Sequence, residues 1–317
     1  MHKQIDHALL NQAFQKVKAN HGCAGVDGVT IHAFENRLDK NLENLEKEIS
    51  SHTYFPLPLL RILVDKGKGT GETRALSIPT VRDRVAQSAV LLLIEPVLDK
   101  EFETCSFAYR KGRSVKQAVM KLKEYYEQGY RWVVDSDIDA FFDNVDHDLL
   151  LKKFNDFIHD KTIQWLVAQW ITAEIWDGAK LTRLKKGIPQ GSPISPTLAN
   201  LFLDELDEAM LKAGYKFVRY ADDYIVVCKD RDKAQNALQL SKEILERLHL
   251  HLDEEEITTF DDGFKYLGVI FLKSMLFVPF DKPKRKKCVI AWPKPFNIQA
   301  YVLKKKRQLL HGQHIHH

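Results

Sequence analysis

The sequence predicts an α+β fold, and three observations carry the prediction. Segments with helical spacing and short β-rich runs alternate irregularly along 317 residues, which favours α+β over a doubly wound parallel sheet. Two β-rich runs, Phe217-Val218-Arg219-Tyr220 and Tyr224-Ile225-Val226-Val227, are separated only by Ala221-Asp222-Asp223, so a tight hairpin is expected there. Hydrophobic residues make up 44% and charged residues 28%, an ordinary globular composition that excludes a disordered tail or a fibre. The length fits two domains, or one large domain with subdomains.

The elements follow in order. Ser114 with Gln117 forms a capping box, after which Val115, Ala118, Val119, Leu122 and Tyr126 recur at helical spacing. Gly129 ends that helix. Trp132-Val133-Val134 is a strand leading into an acidic segment. Ser195-Pro196 reads as N-cap and N1 of a helix that carries Leu198, Leu201, Phe202 and Leu206 and stops near Gly214. A third helix runs from about 232 to 250, with Ala237, Ile244, Leu245 and Leu248 inward. Tyr266-Leu267-Gly268-Val269-Ile270-Phe271 is another strand.

The formal net charge is only +4, but it is unevenly placed. From Asp281 onward ten basic residues and one acid give +9, which leaves −5 on residues 1–280. An acidic body with a basic tail points to a polyanionic partner. No run of eighteen apolar residues exists and the N-terminus lacks the apolar core of a signal peptide, so no membrane partner is expected and the cytoplasm is the expected location. Cys23, Cys105, Cys228 and Cys288 form no CxxC pair, which fits reduced thiols and argues against a Cys-rich zinc site. His311, His314, His316 and His317 read as a solvated tail.

Two acidic groups carry the chemistry. In Asp135-Ser136-Asp137-Ile138-Asp139-Ala140-Phe141-Phe142-Asp143, strand alternation lets Asp135, Asp137 and Asp139 share a face. Three carboxylates there need a cation or solvent between them. The second group, Tyr220-Ala221-Asp222-Asp223, occupies a hairpin turn where Asn-Gly or Asp-Gly is preferred because φ must be positive. A turn that breaks local rules and carries adjacent acids is where a functional site is expected. If the two strands are neighbours, their carboxylates converge. Oxygen ligands without nearby His or Cys suit Mg²⁺ rather than zinc, and two such ions about 4 Å apart activate a hydroxyl and stabilise a leaving pyrophosphate. Between the groups lies Gly187-Ile188-Pro189-Gln190-Gly191-Ser192-Pro193-Ile194-Ser195-Pro196, a stiff loop whose backbone can approach a base or sugar, with Gln190 as its polar reader.

Those segments resemble the motifs of bacterial reverse transcriptases, specifically the group II intron-like lineage. The resemblance extends to Ala24-Gly25-Val26-Asp27-Gly28-Val29, to Arg74-Ala75-Leu76-Ser77-Ile78-Pro79 and the residues through Gln87, to Ser106-Phe107-Ala108-Tyr109-Arg110, and to Phe264-Lys265-Tyr266-Leu267-Gly268. It covers about residues 22–271. It implies a right-hand polymerase fold: an N-terminal extension and the start of the fingers over 1–50, fingers over 51–120, palm over 121–150, a helical insertion over 151–186, palm over 187–272, and a short basic thumb and tail over 273–317.

By the same resemblance, Asp137, Asp222 and Asp223 are catalytic metal ligands, joined by the Ile138 carbonyl, for two Mg²⁺ ions with Mn²⁺ as a substitute. Lys66 and Arg74 match the cations that hold the triphosphate, a point charge and a fork donor. Phe142 matches the gate that excludes a ribose 2′-hydroxyl, and Gln190 and Gly191 line the nucleotide pocket. Arg110, Arg113, Lys284, Arg285, Lys286, Lys287 and Trp292 are the candidate nucleic-acid contacts, since cations interleaved with aromatic rings suit a template–primer. The implied reaction is RNA-templated synthesis of cDNA from dNTPs.

Departures from the family pattern shape the rest. Glu255-Glu256-Ile257-Thr258 stands where a Lys-Thr is usual, so the lysine proposed as acid for pyrophosphate is missing, and solvent or Lys265 would serve. No Val-Thr-Gly signature of retron enzymes is present, and intact Ser195-Pro196 argues against the diversity-generating branch. The chain ends about 45 residues after the last palm motif, with no endonuclease region. The expected role is that of a compact stand-alone enzyme copying a dedicated non-coding RNA in bacterial anti-phage defence. A CRISPR-associated or intron-derived enzyme, an inactive RNA-binding protein on this fold, and a glycosyltransferase using Asp135-Ser136-Asp137 are the alternatives.

Overall fold

The computed structural model describes residues 4–65, 73–278 and 295–312. A helical layer opens the chain: α1 (His7–Ala19), α2 (Ile31–Glu35) and α3 (Leu38–Ser50). Asp6 and Thr30 start the first two by accepting from the amides of Leu9 and Ala33, the usual side-chain answer to unpaired N-terminal N–H groups. The antiparallel pair β1 (Leu59–Asp65) and β2 (Thr73–Ile78) follows, then α4 (Val81–Glu101). The first half of α4 is buried on nearly every side, which explains why no single apolar stripe marks it. Its Asp83 is buried but well satisfied: Tyr54 Oη, Thr80 Oγ1 and the Leu57 amide donate to it at 2.8, 2.7 and 3.0 Å.

The middle of the chain supplies α5 (Val115–Glu127), β3 (Trp132–Ile138), the short α6 (Phe141–Asn144), α7 (His147–Phe157), α8 (Lys161–Ile171), β4 (Glu174–Trp176) and β5 (Leu181–Arg183). Next come α9 (Ser195–Lys212), the hairpin β6 (Lys216–Tyr220) and β7 (Asp223–Cys228), α10 (Arg231–Arg247) and β8 (Leu252–Thr259). The strands β9 (Phe264–Tyr266), β10 (Val269–Leu272) and β11 (Met275–Phe277) precede the last helix, α11 (Ile298–Gly312).

Among the described residues three sheets result, ordered β2-β1-β4-β5, β6-β7-β3-β8 and β11-β10-β9. The second positions the site. Its strands alternate between two buried faces. Val134, Tyr224, Val226 and Phe217 join the main core with Leu198 and Leu206 of α9 and Ile244 of α10. Val133, Val218, Ile225 and Val227 pack on Ala118, Val119 and Leu122 of α5 and on Phe264, Tyr266 and Phe271. This double burial stabilises β3 and β7 side by side. β8 ends the sheet, with Asp253, Glu255 and Glu256 exposed.

Several local expectations shift. Ser114 caps α5, accepting from the Gln117 amide at 3.3 Å, but Tyr125 is the buried ring, Tyr126 is only partly covered and Val115 is exposed. In α9 the N-cap is Ile194, and Ser195 is already helical, its Oγ donating to the Pro189 carbonyl at 2.8 Å. α10 stops at Arg247 because His249 takes a left-handed φ of 58°. The single basic thumb expected over 273–317 is divided in space. β11 belongs to the third sheet, whereas α11 docks on the first: Tyr301 Oη donates to Glu174 Oε2 at 2.6 Å, and Lys305 pairs with the same carboxylate at 3.1 Å. Among the described residues, no helix is long and apolar enough to cross a membrane.

Candidate active site

The site forms at one end of the second sheet. β3 and β7 run antiparallel with Asp135 opposite Ile225 and Ser136 opposite Tyr224. One step beyond, Asp137 and Asp223 continue the register, and alternation puts both on the face that carries Asp135. Burial, then repulsion from Asp135, Asp137 and Asp222, pushes the Asp223 carboxyl up to about 7. Burial likewise raises Asp222. A group of acids that resists ionisation this way is an arrangement that a cation relieves. Asp137 Oδ1 accepts from the Ile138 amide at 3.0 Å, and Ile138 itself is buried.

Asp139 does not join them, contrary to the alternation expected from sequence. β3 ends at Ile138, its pairing with β8 shifts register between Ser136 and Ile138, and the Asp139 amide donates to the His251 carbonyl at 2.9 Å. The chain then turns through Ala140 at φ 40°. The hairpin turn is strained in the same sense, with Ala221 at φ 62°. Left-handed backbone at two alanines, one on either side of the acids, is a local cost that the surrounding structure must hold in place.

Backbone contacts gather the remaining pocket residues. Gly187, at φ 85°, lies against α6, where an added Cβ would stand 2.8 Å from the Phe142 carbonyl oxygen. The next amide, Ile188, donates to that oxygen at 2.7 Å. Two residues on, the Gln190 carbonyl accepts from the Ser77 amide at 2.7 Å, and a Cβ at Gly191 would meet the Ser77 oxygen at 2.9 Å. Thus Phe142 (half-buried), Gln190 and Gly191 occupy one continuous backbone contact zone, which reaches β2, the strand of exposed Arg74.

Sequence reasoning missed Tyr109. This half-exposed ring has φ 60°; burial and then Asp222 and Tyr220 raise its hydroxyl, while Arg74 opposes them. Tyr109 therefore stands within electrostatic reach of both the acids and the β2 cation. Its motif was visible, but nothing in the sequence marked that residue.

Arg110 is a correction. Its guanidinium binds Asp99 Oδ1 at 2.6 Å and the carbonyls of Glu103, Ser106 and Asp99, with the side chain 6% exposed, so it serves the fold and leaves nothing for nucleic acid. Arg113 is half-exposed, donating to the Thr104 carbonyl at 2.7 Å over the Phe107 ring. Lys66, Lys284, Arg285, Lys286, Lys287 and Trp292 lie outside the described residues.

Crowded acids at a sheet end and a backbone zone joining Phe142, Gln190 and Gly191 fit the chemistry of a nucleotide polymerase. Comparison with known proteins then gives the family. Residues 64–271 match the profile described as reverse transcriptase (RNA-dependent DNA polymerase), and the chain belongs to that family. It is 31% identical over 285 residues to protein YkfC of Escherichia coli, spanning 77% of this chain and 74% of YkfC. It is also 31% identical over 213 residues to the group II intron-encoded protein LtrA of Lactococcus lactis, spanning 67% of this chain but only 35% of LtrA. A structure of telomerase from Candida albicans, at 13% identity and a TM-score of 0.53, shares the fold over 73% of this chain and 50% of its own. These relations support RNA-directed DNA polymerase as the activity and the group II intron-like lineage as its setting.

Proposed function

We propose that the chain joins dNTPs on an RNA template by two-metal nucleotidyl transfer at Asp137, Asp222 and Asp223. The observation that carries this reading is the crowding at Asp223, raised by burial and by three neighbouring acids. The donor set fits hard divalent ions, because it offers carboxylate oxygens and no imidazole or thiolate. Among the described residues no three acids, His or Cys form a ready-made cage. When bound, such ions lower the pKa of the attacking hydroxyl and neutralise the leaving pyrophosphate.

The chain's own residues do the rest. Asp137, Asp222, Asp223 and the Ile138 carbonyl hold the cations. Arg74 grips the triphosphate with a planar fork, joined by Lys66. The Phe142 ring fills the volume a 2′-hydroxyl needs, and Gln190 and Gly191 line the base and sugar. Primer extension on an RNA template tests this: incorporation in Mg²⁺, its loss in EDTA, and its loss in Asp222→Ala are the expected results. Incorporation by Asp222→Ala at the wild-type rate overturns the metal assignment.

For the template, we propose a dedicated structured RNA serving bacterial anti-phage defence in the cytoplasm; the basic C-terminal segment, with +9 from Asp281 onward, supports a polyanionic partner. The likeness to an intron-encoded protein favours intron RNA as the second reading. Sequencing RNA and cDNA that copurify with the protein separates them. One dominant non-intron RNA with matching cDNA is expected, and random cellular RNA overturns both readings.

A further inference from the structure

Behind the hairpin lies a buried polar cluster that the mechanism above does not use. Arg219 of β6 is fully buried. Its Nε and Nη2 donate to the two carboxylate oxygens of Asp207 on α9 at 2.6 and 2.5 Å. Nη2 also reaches Ser106 Oγ at 3.0 Å, and Nη1 reaches Asn200 Oδ1 at 3.0 Å. Asn200 is held in turn, its Nδ2 donating to the Ala108 carbonyl at 2.9 Å. The Arg219 backbone is clamped on both sides, its amide donating to the Cys105 carbonyl and its carbonyl accepting from the Phe107 amide, each at 2.9 Å.

One further contact gives the cluster a purpose. Nη1 donates to the carbonyl oxygen of Ala221 at 2.9 Å. Ala221 is the residue held at φ 62°, and Asp222 and Asp223 follow it directly. A buried ion pair is weak as a device for stability alone, because well-packed apolar side chains commonly do as well. No apolar side chain can hold a carbonyl, and lysine lacks the planar fork that serves five acceptor atoms on four residues at once.

We propose that Arg219 is a positioning residue for the metal-binding turn, with Asp207, Asn200 and Ser106 orienting its guanidinium. The fork fixes the Ala221 carbonyl, keeps the turn in its left-handed state, and so presents Asp222 and Asp223 in a cation-binding arrangement. The inference rests on the metal-site reading above.

The test is Mn²⁺ binding to the folded chain without substrates, followed by electron paramagnetic resonance, beside the Mg²⁺ dependence of single-nucleotide incorporation. In Arg219→Lys, Mn²⁺ binding is expected to weaken about tenfold and half-saturation by Mg²⁺ to rise in step, while the KM for dNTP at saturating Mg²⁺ stays within about twofold. A merely structural role would lower the melting temperature and leave Mn²⁺ affinity of the folded protein unchanged; that result overturns the proposal. Should Arg219→Lys not fold, Asn200→Ala decides: weakening of at least about threefold supports the proposal, and wild-type affinity overturns it. Asp222→Ala separates the two ideas. If it binds Mn²⁺ as the wild type does, the metal-site reading itself fails; if it loses the ion while Arg219→Lys keeps it, only the positioning role fails.

Discussion

The Ile188 amide donates to the Phe142 carbonyl oxygen at 2.7 Å. This single bond ties the backbone of the aromatic at the proposed sugar position to the loop proposed to line the nucleotide pocket. Phe142 and the loop of Ile188 are therefore registered to each other through main chain, which a change of the Phe142 side chain leaves in place.

Phe142→Val is expected to admit ribonucleotides while leaving dNTP incorporation largely intact. Discrimination by volume alone is worth roughly 10- to 200-fold, so the dNTP-to-rNTP preference should fall by about that range. The measurement is kcat/KM for a matched dNTP and rNTP in wild type and variant. An unchanged ratio would show that the ring only completes the core around Phe141 and Phe202.

Asp137→Ala and Asp222→Ala are each expected to reduce incorporation by about 10³-fold or more, the scale for losing a group that stabilises transition-state charge. Circular dichroism should stay unchanged. Melting temperature in EDTA should hold or rise, because fewer acids crowd Asp223. Activity near wild type in both variants is the contrary result.

Gly191→Ala is expected to damage the pocket. Gly191 has φ 112°, and the new Cβ would meet the Ser77 oxygen, a backbone atom that cannot swing aside, at 2.9 Å. The KM for dNTP should rise about tenfold or more, as a displacement of about 1 Å in a positioning element warrants. Gly214→Ala is the comparison, since it shares a left-handed φ of 82° but has open space around it; its KM should not change.

Much of the site was legible because its chemistry breaks local rules. Ala221-Asp222 is poor hairpin material, and the structure shows the cost directly as φ 62° at Ala221. Asp137 was legible from its motif and from alternation, but alternation failed at Asp139, because the bulge opposite β8 ends the strand first. Tyr109 and Arg219 were not legible as site residues. Arg219 looks like an ordinary polar position within Phe217-Val218-Arg219-Tyr220, and its partners come from residues 106, 200 and 207. Only the tertiary fold brings those segments together. The docking of the last described helix was not legible for a similar reason: Tyr301 finds Glu174, a residue 127 positions away.

Asp204 provides a test by pH. It is buried on α9, three positions before Asp207, with Oδ1 lacking a hydrogen-bond partner, and burial, then Asp207 and Glu208, push its carboxyl up to about 7.

 Between the ordinary 3.8 of Asp204 and about 7 the folded chain holds a proton that the unfolded chain has released. Stability is therefore greatest at the acid end of that window and falls as pH rises through it. At about 1.4 kcal/mol per pKa unit, the loss from about pH 5 to pH 7 is about 3 kcal/mol. Asp204→Asn cannot ionise, so its unfolding free energy should decline less over that range and exceed that of wild type at about pH 8. Urea titrations across the range in EDTA measure this; parallel slopes for the two proteins would contradict it.

β8 closes its sheet with Asp253, Glu255 and Glu256 exposed along an outer strand. By intrinsic preference these are poor β-formers, and an outer strand is a ready template for a neighbouring molecule. A second copy arriving edge to edge would set carboxylate against carboxylate. The strand thus trades local β-preference for a charged edge, a feature that disfavours edge-to-edge extension of the sheet that carries Asp137 and Asp223.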